Sequence, residues 1–154
     1  MPTPTLLRRT VFLALLITGL LAGGAACAHF LAVPTPLPAE RRSSDAETDQ
    51  AYRQDGARHI YAALPMHIYK GRMPPLLYGI AITETDIDAE GNVIDVRLLR
   101  EPAAAEVGPW IRSLIRRIGP FPSPVRLGRV TYTEIWLVHK SGNFQLDTLT
   151  EGQD

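Results

Sequence analysis

The stretch that decides the fold is LLYGIAITETDIDAEGNVIDVRLL, residues 76–99. Its first half alternates, with Tyr78, Ile80 and Ile82 on one side and Gly79, Ala81 and Thr83 on the other. That is the period of a β-strand. DAEGN (88–92) then supplies a tight turn, in which Gly91 is free to take a positive φ. Alternation resumes with Ile94, Val96 and Leu98 set against Asp95 and Arg97. The two runs read as a hairpin.

Working downstream, the period changes. Val107, Trp110, Ile111, Leu114, Ile115 and Ile118 recur at helical spacing and make one continuous apolar face. Pro109 fits only near the first turn. Arg112, Arg116 and Arg117 lie off the apolar face, and the last two sit well near the helix C-terminus. Gly119 is expected just past the helix end in the left-handed conformation, and Pro120 stops the helix. Residues 129–139 alternate again, Val130, Tyr132, Trp136 and Val138 against Thr131, Thr133, Ile135 and Leu137. KSGN (140–143) turns the chain, and Phe144, Leu146 and Leu149 support a short last strand. Trp110 is expected in the core. Trp136 fits either the core or an exposed aromatic edge.

Upstream, Tyr52, Gly56 and Ile60 fall on one helical stripe beside Ala57, Tyr61 and Leu64. Ser44 or Asp45 is the expected cap, and Pro65 ends the helix. The expected class is therefore α+β: a small antiparallel β-sheet in ββαββ order, covered by an amphipathic helix, with an additional N-terminal helix. Strands with one apolar face require such a cover. The organisation that follows is 1–28 as a signal peptide or membrane anchor, 29–45 as a Pro/Ser-rich linker, 46–72 as the N-terminal helix and its connection, and 73–151 as the main domain.

The N-terminus sets the compartment. Arg8-Arg9 precede an apolar run from Val11 to Leu21 and a small-residue stretch ending at Ala28. This is the order of a secretory leader, with an A-x-A site at Ala26–Ala28. Two other readings stay open. Cys27 could be a lipidated first residue, although Gly24 stands where a larger apolar residue is usual. Residues 10–33 are also long enough for an uncleaved anchor, with the arginines held inside. All three readings place residues 34–154 in the periplasm-facing cell envelope, with membrane association through the N-terminus in two of them.

Composition excludes several functions. The 154 residues carry 16 Lys+Arg and 16 Asp+Glu, for no net charge. Removing residues 1–28 takes away two arginines and leaves an excess of two acids. A nucleic-acid partner is not expected, because phosphate binding needs a basic face. Cys27 is the single cysteine, so no disulfide forms within the chain. Asp86, Asp88, Glu90 and Gly91 imitate the start of a calcium loop, but Arg97 stands at the twelfth place, where a bidentate Glu is needed. No metal site and no cofactor are expected. His29, His59, His67 and His139 show no metal-ligand spacing. Ser141 has no nucleophile elbow, and Glu84/Asp86 read as a solvated strand face. No enzyme is expected.

Three pieces in order, GIAITETDIDAEGNVIDVRLLREP (79–102), the helix before PFP (120–122) and GRVTYTEIWLV (128–138), give the chain a family resemblance. It resembles the TonB C-terminal domain family, the periplasmic end of an energy transducer, over roughly residues 75–149. The linker of about a dozen residues reaches only ~40 Å when extended, far less than the long Pro-rich spacer usual in that family. The resemblance implies a non-catalytic module that binds an envelope partner by β-strand addition. The implied partner is an outer-membrane receptor or an inner-membrane motor complex, and the implied task is transport. The strand beside the partner would be 130–138, with Val130, Tyr132, Thr133, Glu134, Trp136 and Val138 as its residues. Phe144–Leu149 is the competing occupant of that edge. The alternative function is a structural envelope lipoprotein without a transport role, lipidated at Cys27.

Overall fold

The computed structural model describes residues 42–153. Residues 1–28, expected as a signal peptide or membrane anchor and including Cys27, and most of the expected linker lie outside them. Along the chain run β1 (Ser43–Ser44), α1 (Asp49–Ala63), β2 (Gly79–Ile87), β3 (Val93–Arg100), α2 (Val107–Ile118), β4 (Ser123–Pro124), β5 (Val130–Val138) and β6 (Phe144–Leu146). Single 3-10 turns occupy Pro65–His67 and Asp147–Leu149. The fold is α+β, with two helices and a four-stranded antiparallel sheet in the order β3-β2-β5-β6. One feature departs from the expected ββαββ order. The two-residue strands β1 and β4 pair in parallel as a separate ribbon. The last strand is only three residues long and gives way to a 3-10 turn.

A side-chain cap starts α1, whereas α2 begins after Glu106 without one. The cap of α1 is Thr48, not Ser44 or Asp45: its Oγ1 accepts the Ala51 N–H at 3.1 Å. Ser44 is instead drawn into β1, and its hydroxyl donates to Asp55 at 2.6 Å. Tyr52, Gly56, Ala57 and Ile60 form the buried stripe of α1. In α2 the buried side is Val107, Ile111, Leu114 and Ile115, with Trp110 and Ile118 half-buried. Gly119 follows in extended conformation, φ −62°, rather than left-handed.

Both helices pack on one face of the sheet, and it is not the face that alternation alone favours. The buried side of β2 is Gly79, Ala81, Thr83, Thr85 and Ile87, whereas Ile80 and Ile82 are half-exposed. Close approach explains the choice. A Cβ on Gly79 would stand 3.2 Å from Pro102 and 3.5 Å from Val107, and one on Gly56 would stand 2.9 Å from the Tyr132 ring. Small residues at these positions let the helices settle, and β5 supplies the bulk through Tyr132, Trp136 and Val138. In β3, Val96 is buried but Ile94 is exposed, because a register break between Asp86 and Ile87 turns it out of the alternation. Gly91, at φ 88°, closes the β2–β3 turn where a Cβ would strike the Phe121 carbonyl oxygen.

Leu114 is 1 % exposed at the centre of the helix–sheet interface. Leu114→Ala should therefore destabilise the domain by about 2–5 kcal/mol in chemical denaturation. A change under about 0.5 kcal/mol would place that side chain in solvent.

Candidate functional site

The sheet has two outer strands, β3 and β6, and β5 is not one of them. All nine residues of β5 pair with β2 on one side, and Trp136–Val138 pair with β6 on the other. Of the two occupants expected for this edge, the competing one is present in part: Phe144–Leu146 takes the far end of β5. Of the six residues expected at the edge, Val130, Tyr132, Glu134, Trp136 and Val138 are buried on the helix-covered face, and only Thr133 faces outward from the sheet. Trp136 is a core residue, fully buried, with its Nε1–H donating to Thr83 Oγ1 at 3.1 Å.

An open stretch remains on β5 nonetheless. His139 N–H donates to Asn143 O, so odd-numbered residues of this strand turn their backbone groups away from β2. Leu137 faces β6 in this way, and Ile135 would be next. The Ile135 N–H is instead taken by the Glu134 carboxylate at 2.9 Å. The same carboxylate accepts the Thr148 hydroxyl at 3.0 Å, the Tyr132 hydroxyl at 2.9 Å and an Arg53 contact at 3.5 Å. Glu134 thereby bends the chain after Leu146 into its 3-10 turn and ends the ladder. Beyond it, Thr131 and Thr133 turn their N–H and C=O groups to a side where no strand lies among the described residues. The N-terminal turns of α1 reach past this edge. Asp49, Gln50 and Arg53, with Thr131, Thr133 and Glu84, line a cavity of about 440 Å³ there. Arg53 Nε is buried beside it without a hydrogen-bond partner.

The other edges differ. Along β6 the chain closes its own edge: Ile68 bridges Phe144, Tyr69 N–H donates to Phe144 O, and the Gln145 amide donates to the carbonyls of Tyr69 and Gly71. No strand lies on the outer side of β3 among the described residues. Two register breaks interrupt its pairing, and its exposed face is charged. There Arg97 bridges Asp86 at 2.6 Å, Asp95 at 3.1 Å and Glu84 at 3.2 Å. Bulges and charges are the usual defences of an edge against unwanted pairing.

The remaining polar motifs are structural. Ser141 Oγ and His139 Nδ1 lie 2.9 Å apart, but both belong to one turn, and Ser141 Oγ also accepts the Asn143 N–H. Among the described residues the hydrogen bonds of the imidazole are to Ser141 alone. Asp88 caps its own turn by accepting the N–H groups of Glu90 and Asn92 at 3.0 and 2.8 Å. His59 donates to the Ile118 carbonyl at 2.9 Å, and burial lowers its pKa. Among the described residues no cluster of His, Cys, Asp and Glu could hold a metal ion. None of their helices is long and apolar enough to cross a membrane. The part of Glu134 was missed in sequence: a Glu inside a β-branched and aromatic strand, at a position whose neighbours point inward, was the available signal.

No family model matches the chain, and neither a curated protein nor a solved structure matches it.

Two measurements check this geometry. Glu134→Ala strands the Tyr132 and Thr148 hydroxyls and the Arg53 guanidinium, and should cost about 3 kcal/mol. A loss under about 0.5 kcal/mol would show that the carboxylate is not the hub. The second concerns acid. The Arg97 guanidinium holds the Asp86 carboxyl below its ordinary value of 3.8, and the Asn92 amide does the same for Asp88. With folded pKa values depressed, their stabilisation is present above pH 3.8 and is lost as pH falls through the folded values. The Asp86→Asn/Asp88→Asn variant should therefore show a flatter stability profile than wild type below about pH 4; parallel profiles would contradict the assignment.

Proposed function

We propose that this domain is a non-catalytic module of the cell envelope that takes an extended segment of a partner protein by β-strand addition at the open stretch of β5. The observation that carries the reading is the early end of the β5–β6 ladder at Glu134, which leaves the outward backbone groups of Thr131 and Thr133 beside a cavity lined by α1. An added strand would meet hydrogen-bonding groups on its inner side and Asp49, Gln50 and Arg53 along its flank. The stretch has what β3 lacks: β5 runs in unbroken register with β2 over nine residues, so its backbone is held straight for a partner.

The TonB-like resemblance of residues 75–149 supports the same reading. It extends it to a periplasm-facing position, reached by a leader, anchor or lipid at the N-terminus, and to energy transduction toward outer-membrane transport. The partner is then an outer-membrane receptor or an inner-membrane motor complex.

Proline at Thr133 tests the edge, because it removes an N–H that points away from β2. Thr133→Pro should keep the circular dichroism spectrum and abolish capture of envelope partners. Gln145→Pro, by contrast, should unfold the domain, since Gln145 is buried and its amide ties 69–71 and 150–151 to β6. A folded Thr133→Pro protein that still captures its partners would remove strand addition at this edge.

A further inference from the structure

The ladder between β5 and β6 stops where the sequence holds no breaker. From Phe144 to Glu151 the chain contains neither proline nor glycine, and Thr148-Leu149-Thr150 suits a strand. The register pairs Val138 with Phe144, Leu137 with Gln145 and Trp136 with Leu146. Continued residue by residue, it would set Asp147 against Ile135, Leu149 against Thr133 and Glu151 against Thr131. Those are the outward hydrogen-bonding positions of β5. The added residues would run along the cavity of about 440 Å³ that Thr131, Thr133 and α1 line.

Three clasps hold the chain off that path. The Glu134 carboxylate takes the Ile135 N–H that the next rung needs, at 2.9 Å. Gln145 Oε1 accepts the Thr150 hydroxyl at 2.8 Å and the Glu151 N–H at 3.3 Å. Met73 N–H donates to Gly152 O at 2.9 Å. Burial holds this segment less firmly than it holds the strand before it. All of β6 is buried, whereas every residue from Asp147 to Glu151 is half-buried or exposed. Leu149 is the one apolar side chain there, partly packed against the core. A like charge works with the clasps: in the continued register Glu151 would come beside Thr131, whose hydroxyl is bonded to Asp86 at 3.0 Å.

We infer that residues 147–151 are a strap able to close the open stretch of β5, held back by these clasps. The inference rests on the strand-addition reading in one respect: it makes the strap a competitor of the partner strand for the same backbone groups of Thr131 and Thr133. The exchange is local. It gives up the clasps and one 3-10 turn, and it returns ladder hydrogen bonds at Ile135, Thr133 and Thr131. β6 stays in place, as do the bonds of the Gln145 amide to Tyr69 and Gly71. The same register sets Thr148 opposite Glu134, so the buried carboxylate keeps a hydroxyl within reach, beside Tyr132 and Arg53. Exchanging one set of contacts for another of similar strength lets a modest perturbation move the balance. The clasped form is the one the structure holds, so the free domain presents its edge, and a partner strand competes only with the minor, closed form.

A disulfide that only the closed strap permits tests this. Glu151 is held at Gln145, which pairs with Leu137, six residues along β5 from Thr131, or roughly 20 Å. Opposed in a ladder, the two Cα atoms would stand about 5.5 Å apart, within disulfide reach. The full chain would carry Thr131→Cys and Glu151→Cys, both at exposed positions, with Cys27→Ser to remove its single native thiol. Mild oxidation of the dilute protein should form the internal crosslink slowly, and adding Thr150→Val should speed it about fivefold by undoing one clasp. The crosslinked protein should lose the envelope proteins that Thr133→Pro also loses, and reductant should restore them. No crosslink in either background, with circular dichroism unchanged, would overturn the strap and leave strand addition standing. Equal rates with and without Thr150→Val would overturn the part given to Gln145. A crosslinked protein that still captures those envelope proteins would overturn the competition, and with it the strand-addition reading.

Discussion

A buried carboxylate governs the architecture. Glu134 is fully shielded from water in the middle of β5, where an ionised group is costly by several kcal/mol unless its oxygens are saturated. Saturation requires that Arg53 come from α1, Thr148 from the C-terminal turn, Tyr132 from the same strand and an amide from Ile135. Two segments far apart in sequence are held at fixed distances from one side chain. The demand also consumes the amide with which β6 would have continued, so the sheet's boundary is set by electrostatics and not by the loss of strand-forming residues.

The second constraint is steric and lies on the same helix-covered face, on the strand next to that carboxylate. Two helices share one face of four strands, and the central strand beneath them is lined by Gly79, Ala81, Thr83 and Thr85. Tyr52 and Tyr132 cross edge-on at 6.2 Å, and the Tyr52 hydroxyl reaches the Pro122 carbonyl at 2.6 Å. Burial pushes the Tyr52 phenol well above its ordinary pKa. The core is thus built from large side chains on β5 and the helices set into a shallow floor on β2. It is less a sheet with an apolar face than a floor cut low enough to receive two helices.

Much of this was legible in the sequence. The hairpin at DAEGN, the apolar stripe of α2, the inward face of Val130, Tyr132, Trp136 and Val138, and the turn at KSGN all follow from period and turn chemistry. The inward face of β2 did not follow. Alternation offers two faces, and Ile80 and Ile82 are the more apolar pair; only the proximity of Val107 and Pro102 to Gly79 makes the smaller face the buried one. The position of the edge was likewise illegible. It depends on whether 144–146 pairs with β5 and on where Glu134 stops it, both of which are contacts between distant residues. Thr48 in place of Ser44 as cap is a smaller miss: Ser44 finds a better partner in Asp55, on the helix itself.

The pairing of β2 with β5 has a consequence for how the chain reaches this state. Their register joins residues from 43 positions apart, Ile87 with Val130, to 59 apart, Gly79 with Val138. Closing such a span is entropically unfavourable, and the ladder returns nothing until both strands are in place. The β2–β3 hairpin and α2 involve near neighbours and can form inside the loop before it closes. The meeting of β2 and β5 is therefore the pairing within the sheet that carries the largest loop-closure cost. Until then Tyr132 and Trp136 lack the cover that the folded core gives them.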